Sequence, residues 1–135
     1  MKNKRYALLA LSVILLITFL MSLVSCKGIV IDEKNNNGKI EVKNGSRFSI
    51  VLDSNPTTGY DWYMAEEDYK ANLSLIGSEY SQSRKEKGLM GAGGKRTFTF
   101  LAEKSGSTNI TLEYKREFEK DVEPIDNFSV DIIIK

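Results

Sequence analysis

Alternating apolar and polar residues dominate the chain from about residue 40 onward. In the clearest stretch, residues 47–53, the side chains of Phe48, Ile50 and Leu52 share one side and mostly polar side chains share the other. A period of two over this length predicts a β-strand with one buried face.

The same alternation predicts further strands on both sides of this one. They are expected at 40–42, 60–64, 73–77, 95–102, 108–114 and 127–135. Turn residues separate them at the spacing typical of sandwich domains, and residues 66–72 are compatible with no more than one helical turn. The sequence therefore predicts an all-β antiparallel sandwich of seven or eight strands over residues 40–135, with Trp62, the single tryptophan, in its core.

A short connection, Asn55-Pro56-Thr57-Thr58-Gly59, joins two of these strands. Asn55 can bond its own backbone two residues on, Pro56 fixes its φ, and Gly59 can take a positive φ without steric cost. Thr57 and Thr58 are stiff at χ1 and offer two hydroxyls. We expect an ordered loop, which is either a tight connection within the sandwich or a preformed binding element at one end of it.

Two longer segments lack apolar periodicity. The first covers 78–94 and ends in Gly91, Ala92, Gly93 and Gly94, and the second covers 115–126. A phosphate-binding loop is not predicted, because the glycines lack a Gly-Lys-Ser/Thr ending and lead into a strand pattern. The glycines either form a hairpin end without a further role or let the backbone approach a partner closely.

Connections in a sandwich alternate between its two ends. With the strand at 47–53 counted as the second, the segments 54–59, 81–94 and 115–126 follow the second, fourth and sixth strands. We therefore expect all three at the same end of the domain, an expectation that fails if the count is off by one.

Two absences from the composition remove most classes of enzyme. The chain has no histidine, and its only cysteine is Cys26. A Ser/His/Asp or Cys/His nucleophile and a usual zinc site therefore cannot be built, and no disulfide can form within the domain. Hydrolysis by a carboxylate pair stays open, although no pair stands out. We expect no enzyme activity, no cofactor and no metal site.

Residues 1–25 have the layout of a lipoprotein signal peptide. Three basic residues precede an apolar segment from 7 to 24, and Leu-Val-Ser-Cys at 23–26 resembles the lipobox of bacterial lipoproteins. In that class, cleavage leaves Cys26 as the N-terminus carrying lipid, and more than one acyl chain gives stable anchoring. An uncleaved anchor helix, or ordinary secretion with Cys26 incidental, are the alternatives.

The signal hypothesis fixes further expectations about the mature chain. Residues 26–39 become the lipidated cysteine and a polar tether, in which 29–31 can pair at a sheet edge. The signal holds three of the 19 basic residues and none of the 18 acidic ones, which leaves 16 against 18 and a net charge of −2. We expect a monomer outside the cytoplasm, anchored to the cell membrane or to an outer membrane, with no nucleic acid as partner.

Three loop motifs, taken in order from about Ile40 onward, resemble those of the chagasin family, tight-binding inhibitors of papain-like cysteine proteases. The family's Asn-Pro-Thr-Thr-Gly motif is whole at 55–59, and an aromatic residue and Trp62 follow it. Its glycine-rich motif corresponds to residues 91–94. Its third motif, Arg-Pro-Trp after a strand-ending tyrosine, is kept in part at 114–118, where Glu117 replaces the proline and Phe118 the tryptophan.

The resemblance implies an immunoglobulin-like sandwich that reversibly inhibits papain-like, cathepsin L-type proteases by occluding the active-site cleft. Glu117 removes a fixed φ, so ordering its loop should cost about 0.4–1 kcal/mol more. A non-inhibitory immunoglobulin-like binding or adhesion lipoprotein is the alternative that the sequence leaves open. The residues that the resemblance assigns to protease binding are Asn55, Pro56, Thr57, Thr58, Gly59, Gly91, Ala92, Gly93, Gly94, Arg116 and Phe118.

Overall fold

Two four-stranded sheets form the domain. The computed structural model describes residues 28–82, 93–119 and 121–135. The strands in these ranges are β1 Ile29–Ile31, β2 Gly38–Val42, β3 Arg47–Ser54, β4 Asp61–Met64, β5 Leu73–Gln82, β6 Gly94–Ala102, β7 Gly106–Lys115 and β8 Asp126–Ile134. The first sheet has the order β1-β3-β6-β5 and the second β2-β8-β7-β4. The predicted all-β sandwich is confirmed.

The core lies between the sheets and consists of the side chains that the alternation points inward. Phe48 stacks on Phe100 with 5.4 Å between ring centroids, and Tyr69 meets Phe100 edge-on at 5.6 Å. Trp62 is 7% exposed and belongs to the same cluster, where its indole N–H donates to the Asp53 carbonyl at 2.8 Å. Because burying a Phe side chain is worth roughly 1.5–3 kcal/mol, packing can hold this domain without disulfides.

Residues 29–39, predicted as part of a tether, belong to the folded domain. β1 pairs in parallel with β3 at the edge of the first sheet, as the expected edge pairing of 29–31 requires. Ile31 lies beside Ile50 and is fully buried. β2 in turn pairs in parallel with β8. The polar composition did not indicate that the segment folds, because backbone pairing and the buried side chain of Ile31 hold it in the domain.

The connection that contains the glycines is shorter than predicted, because β5 continues to Gln82 instead of ending at Gly77. A bulge between Leu75 and Gly77 shifts the register, and pairing with β6 then continues to Gly94. β5 is an edge strand, and most side chains beyond the bulge are exposed. Alternation could not indicate it, since main-chain hydrogen bonds rather than apolar side chains define this part of the strand.

Some predicted residues lie outside the described ranges. They are Cys26 with the whole signal segment, and Gly91 and Ala92 of the glycine-rich motif. Within the described ranges, no helix has the length and the apolar character needed to cross a membrane.

Candidate functional site

Six strand ends meet at one end of the sandwich, which we call the loop pole. Three segments connect these ends: the first loop (55–60), the second loop (83–93) and the third loop (116–125). All three therefore leave the domain at the same end, as the alternation of connections predicts. The pairs that bring the ends together are Ser54 with Gly94, Gln82 with Gly94, Asp61 with Lys115, and Tyr114 with Asp126.

The first loop is ordered by its own hydrogen bonds. Pro56–Thr58 form one 3₁₀ turn with proline at its start, where a missing N–H does no harm. The Thr58 N–H donates to the Asn55 carbonyl at 3.1 Å, and the Gly59 N–H donates to the Pro56 carbonyl at 2.9 Å. Gly59 ends the turn with φ 84°, which costs glycine no steric clash. The sequence-based expectation of an ordered loop agrees with this geometry.

Asn55 anchors the first loop in a way that differs from the prediction. Its side chain does not cap the turn, and its Oδ1 instead accepts a hydrogen bond from the Thr57 hydroxyl at 2.5 Å. The Asn55 N–H donates to the Tyr114 hydroxyl at 3.0 Å, which ties the loop to β7. Thr57 and Thr58 themselves are exposed at the tip.

Asp61 closes the base of the first loop. Its Oδ1 accepts from the Ser54 hydroxyl at 2.8 Å, from the Trp62 N–H at 2.9 Å and from Arg96 Nε at 3.0 Å, and its Oδ2 pairs with Arg96 Nη2. Arg96 belongs to the first sheet and Asp61 to the second, so the pair joins the sheets beneath the loop. Burial raises the pKa of Asp61, but these donors outweigh burial and hold the pKa below its ordinary value.

Sequence reasoning did not single out this network, although a signal was present. Ser54 follows Phe48, Ile50 and Leu52 on the core-facing side of β3, and Arg96 precedes Phe98 on the core-facing side of β6. Charged side chains at such positions are rare unless they are paired. Two polar residues at the same end of neighbouring core faces therefore indicate a partner on the opposite sheet.

Gly94 is required by packing within the domain. A Cβ at this position would lie 2.8 Å from the Tyr80 hydroxyl and 2.9 Å from Gln82 Cα, so no larger residue fits between β5 and β6. A Cβ at Gly93 would only make ordinary contact with the Ser54 carbonyl, at 3.7 Å. The close backbone approach at Gly94 is thus internal, and contact of Gly93 and Gly94 with a partner stays a prediction.

Arg116 joins the third loop to the first. Its Nε donates to the Thr58 carbonyl at 3.3 Å, and its guanidinium carbon lies 4.3 Å from the centre of the Tyr60 ring. Its Nη1 pairs with Glu119 at 3.0 Å, which raises the pKa of Arg116. These contacts give Arg116 a role in positioning the first loop, and its predicted contact with a protease stays a prediction.

Glu119 and Phe118 complete the third loop. The Glu119 N–H donates to the Arg116 carbonyl at 3.2 Å, so a hydrogen-bonded turn and an ion pair restrain the segment that lacks the proline. Sequence reasoning did not single out Glu119. Phe118 is 71% exposed, and its ring lies near the position that a Cβ on Gly59 would occupy, at 3.4 Å. An exposed aromatic ring therefore flanks the first loop.

Comparisons with known proteins identify similar sequences and a similar fold. The chain is 33% identical to amoebiasin-1 of Entamoeba histolytica over 84 residues, which is 62% of this chain and 78% of that protein. It is 28% identical to chagasin of Trypanosoma cruzi over 101 residues, covering 74% and 92%. The crystal structure of the cysteine protease inhibitor EhICP2 from Entamoeba histolytica superposes with a TM-score of 0.71 at 25% identity, covering 79% of this chain and 95% of that one.

A family model gives the assignment over most of the chain. Residues 41–132, from β2 into β8, match the model of the chagasin family peptidase inhibitors, I42. That range includes all three loops and the network beneath the first. This chain therefore belongs to the chagasin family of peptidase inhibitors.

Proposed function

We propose that this protein inhibits papain-like cysteine proteases of the cathepsin L type by placing its first loop in the enzyme's active-site cleft. The observation that carries the proposal is the first loop itself, which is exposed at its tip, ordered by internal hydrogen bonds and located beside the third loop. A loop that is ordered before binding loses little conformational entropy when it docks. Tight binding without a covalent bond is therefore reasonable for this surface.

The same geometry supports resistance of the loop to cleavage by the bound protease. A protease must place the scissile carbonyl oxygen among the donors of its oxyanion hole. In the first loop, the carbonyls of Asn55 and Pro56 accept hydrogen bonds from within the turn, and that of Thr58 accepts one from Arg116. Placing any of these three carbonyl oxygens in the oxyanion hole would compete with a hydrogen bond already made within the inhibitor.

The neighbouring loops supply contacts for the two lobes that border the cleft. Phe118 offers an exposed ring, and aromatic side chains are enriched among the residues that carry binding energy at interfaces. On the other side, Gly93 is half-buried beside the end of β3 and has no side chain that would keep a partner away from its backbone. We assign Phe118 and the glycine-rich segment to the two flanks of the cleft.

Titration of active papain with residues 27–135 tests the proposal. We expect stoichiometric loss of activity with the wild-type domain and no loss with the double variant Thr57→Lys, Thr58→Lys, because two bulky cations at the tip cannot enter the cleft. The matched control is Ser105→Lys, Ser107→Lys, which adds the same charge at exposed positions at the other end of the sandwich and should inhibit fully. Full inhibition by the Thr57, Thr58 variant, with its fold intact, would exclude the first loop as the inhibitory element. No inhibition by the wild-type domain would favour an adhesion role.

We also propose that the protein is a lipoprotein, anchored through Cys26 outside the cytoplasm. The lipobox-like sequence at 23–26 supports this. Expression of the full chain in a bacterium fed with a clickable fatty acid should label the wild type and leave Cys26→Ser unlabelled. Equal labelling of both chains would show that the lipid is not on Cys26.

A further inference from the structure

We propose that the anchored protein presents the loop pole away from the membrane, so that the opposite end of the sandwich faces the lipid. We call that opposite end the anchor pole. It contains the turn at 43–46, the turn at 103–105 and the C-terminal Lys135. The proposal rests on lipid attachment at Cys26, as proposed above.

The direction of β1 carries the inference. β3 runs from Arg47 at the anchor pole to Ser54 at the loop pole, and β1 pairs with it in parallel. Ile29 lies beside Phe48, and a Cβ on Gly28 would lie 3.2 Å from the Arg47 carbonyl oxygen. The chain therefore enters the folded domain at the start of β3, at the anchor pole.

The loop pole lies far from the point at which the lipid is attached. Seven residue steps separate Arg47 from Ser54, and at roughly 3.3 Å per residue they place the loop pole about 23 Å beyond the anchor pole. Only Lys27 stands between Cys26 and Gly28, so the link spans at most about 7 Å when fully extended. The link is thus much shorter than the domain, and the anchor holds the start of β3 close to the lipid headgroups.

The surface around the attachment point is apolar at the sheet edge and mixed in charge elsewhere. Val30 is 65% exposed and lies next to the attachment, where it can contact the interfacial region of a bilayer. Lys43, Arg47 and Lys104 are exposed, and so is Glu103. Because these charges are mixed, electrostatic attraction to the lipid does not set the orientation, and the position of the lipid attachment does. We therefore expect the orientation to persist at high salt.

This orientation determines which proteases the inhibitor can reach. A papain-like enzyme must approach along the strand direction to receive the first loop between its lobes. With the loop pole facing outward, a soluble protease in the surrounding medium has free access. The partner class is therefore a soluble extracytoplasmic protease.

The single cysteine allows a test that does not depend on biosynthetic lipidation. Residues 26–135 contain every described strand and one thiol, which can be coupled to a maleimide lipid in vesicles. The matched control moves the thiol with Cys26→Ser and Lys34→Cys. Lys34 is exposed. It lies toward the loop pole, since the neighbouring Glu33 accepts a hydrogen bond from the Asp53 N–H at 2.6 Å.

We expect the chain coupled through Cys26 to inhibit papain on vesicles within about threefold of its inhibition constant in solution, and the chain coupled at position 34 to lose about tenfold or more. Equal inhibition by both coupled chains, or loss only for the Cys26-coupled one, would overturn the orientation. If neither chain inhibits papain in solution, the proposed function fails instead.

A second readout reports the orientation without a protease. Brominated lipids quench tryptophan only at short range, and Trp62 lies near the loop pole at the start of β4. We expect no quenching of the Cys26-coupled parent and clear quenching of the added fluorescence in Ser105→Trp, at the anchor pole. Quenching of the parent to the same degree would contradict the proposal.

Discussion

The ion pair between Asp61 and Arg96 should be the most sensitive support of the first loop, and Asp61→Asn tests it. The substitution keeps the size of the side chain and removes the charge that Arg96 needs. In one orientation the Asn amide NH2 faces the Arg96 guanidinium, and in the other it faces the Trp62 N–H and Arg96 Nε, so one set of donors loses its acceptor. Both outcomes weaken the link between the two sheets at the loop pole.

The expected cost follows from the exposure of the pair. Side-chain exposure is 19% for Arg96 and 14% for Asp61, so the pair is mostly buried but lies near the rim. Breaking a fully buried pair costs about 3–5 kcal/mol and breaking an exposed one about 0.2–1 kcal/mol, so we expect about 2 kcal/mol here. For a domain of about 100 residues, that loss lowers Tm by about 8–16 °C.

Urea unfolding followed by Trp62 fluorescence measures this loss, and its pH dependence identifies the carboxylate. Because the folded-state pKa of Asp61 is depressed, the ionised carboxylate stabilises the fold above the unfolded pKa of about 3.9, and this contribution disappears as the pH falls through the folded pKa. The difference between wild type and Asp61→Asn should be constant above about pH 5 and should shrink below about pH 4.

The matched control is Glu41→Gln, which breaks the exposed pair with Lys135 at the anchor pole, where the nitrogen and oxygen are 2.7 Å apart. It should cost less than about 0.5 kcal/mol. Papain inhibition adds a functional readout. A looser loop base should add about 1 kcal/mol to the free-energy cost of ordering the loop on binding, which raises the inhibition constant about fivefold. If Asp61→Asn costs no more than Glu41→Gln, the pair does not support the loop.

Three further predictions follow from single contacts. Gly59→Ala and Gly45→Ala both force alanine to a positive φ, 84° and 79°, so each should lower the free energy of unfolding in urea by about 1–2 kcal/mol. Only Gly59→Ala should weaken papain inhibition, and equal inhibition by both variants would contradict the role of the turn. Arg116→Gln and Glu119→Gln should each weaken inhibition several-fold with little change in unfolding, and unchanged inhibition constants would exclude a positioning role for Arg116. Ile31→Ala should cost about 2–4 kcal/mol in urea unfolding because β1 belongs to the core, and a loss below about 0.5 kcal/mol would show that it does not.

The sequence predicts those parts of the fold in which side chains decide the structure. Phe48, Ile50 and Leu52 alternate with polar residues because one face of β3 is buried, and the same holds for the core-facing residues of β6, β7 and β8. The edge pairing of β1 was expected from residues 29–31 but its parallel direction was not, and the second half of β5 escapes this logic. There the main chain provides most of the hydrogen bonds, and the side chains carry little periodic signal.

The candidate site was predictable in its residue types and less so in its contacts. Pro56 and Gly59 indicate an ordered turn because each restricts or permits particular φ values, and both residues have these roles in the structure. The partners of Asn55, Arg116 and Asp61 depend on residues 59, 58 and 35 positions away in the chain. Local sequence patterns cannot specify such pairs, since the sheet registers bring them together.

The common location of the three loops was predicted from a strand count that left out β1, and the reason it still holds is informative. With β1 included, the loops follow the third, fifth and seventh strands instead of the second, fourth and sixth. Only the number of strands between successive loops determines whether they share an end, and that number is two in both counts. An error before the first loop shifts all three loops together. Leaving β1 out of the count therefore does not change the common end of the three loops, and the direction of β1 determines the end at which the chain enters the folded domain.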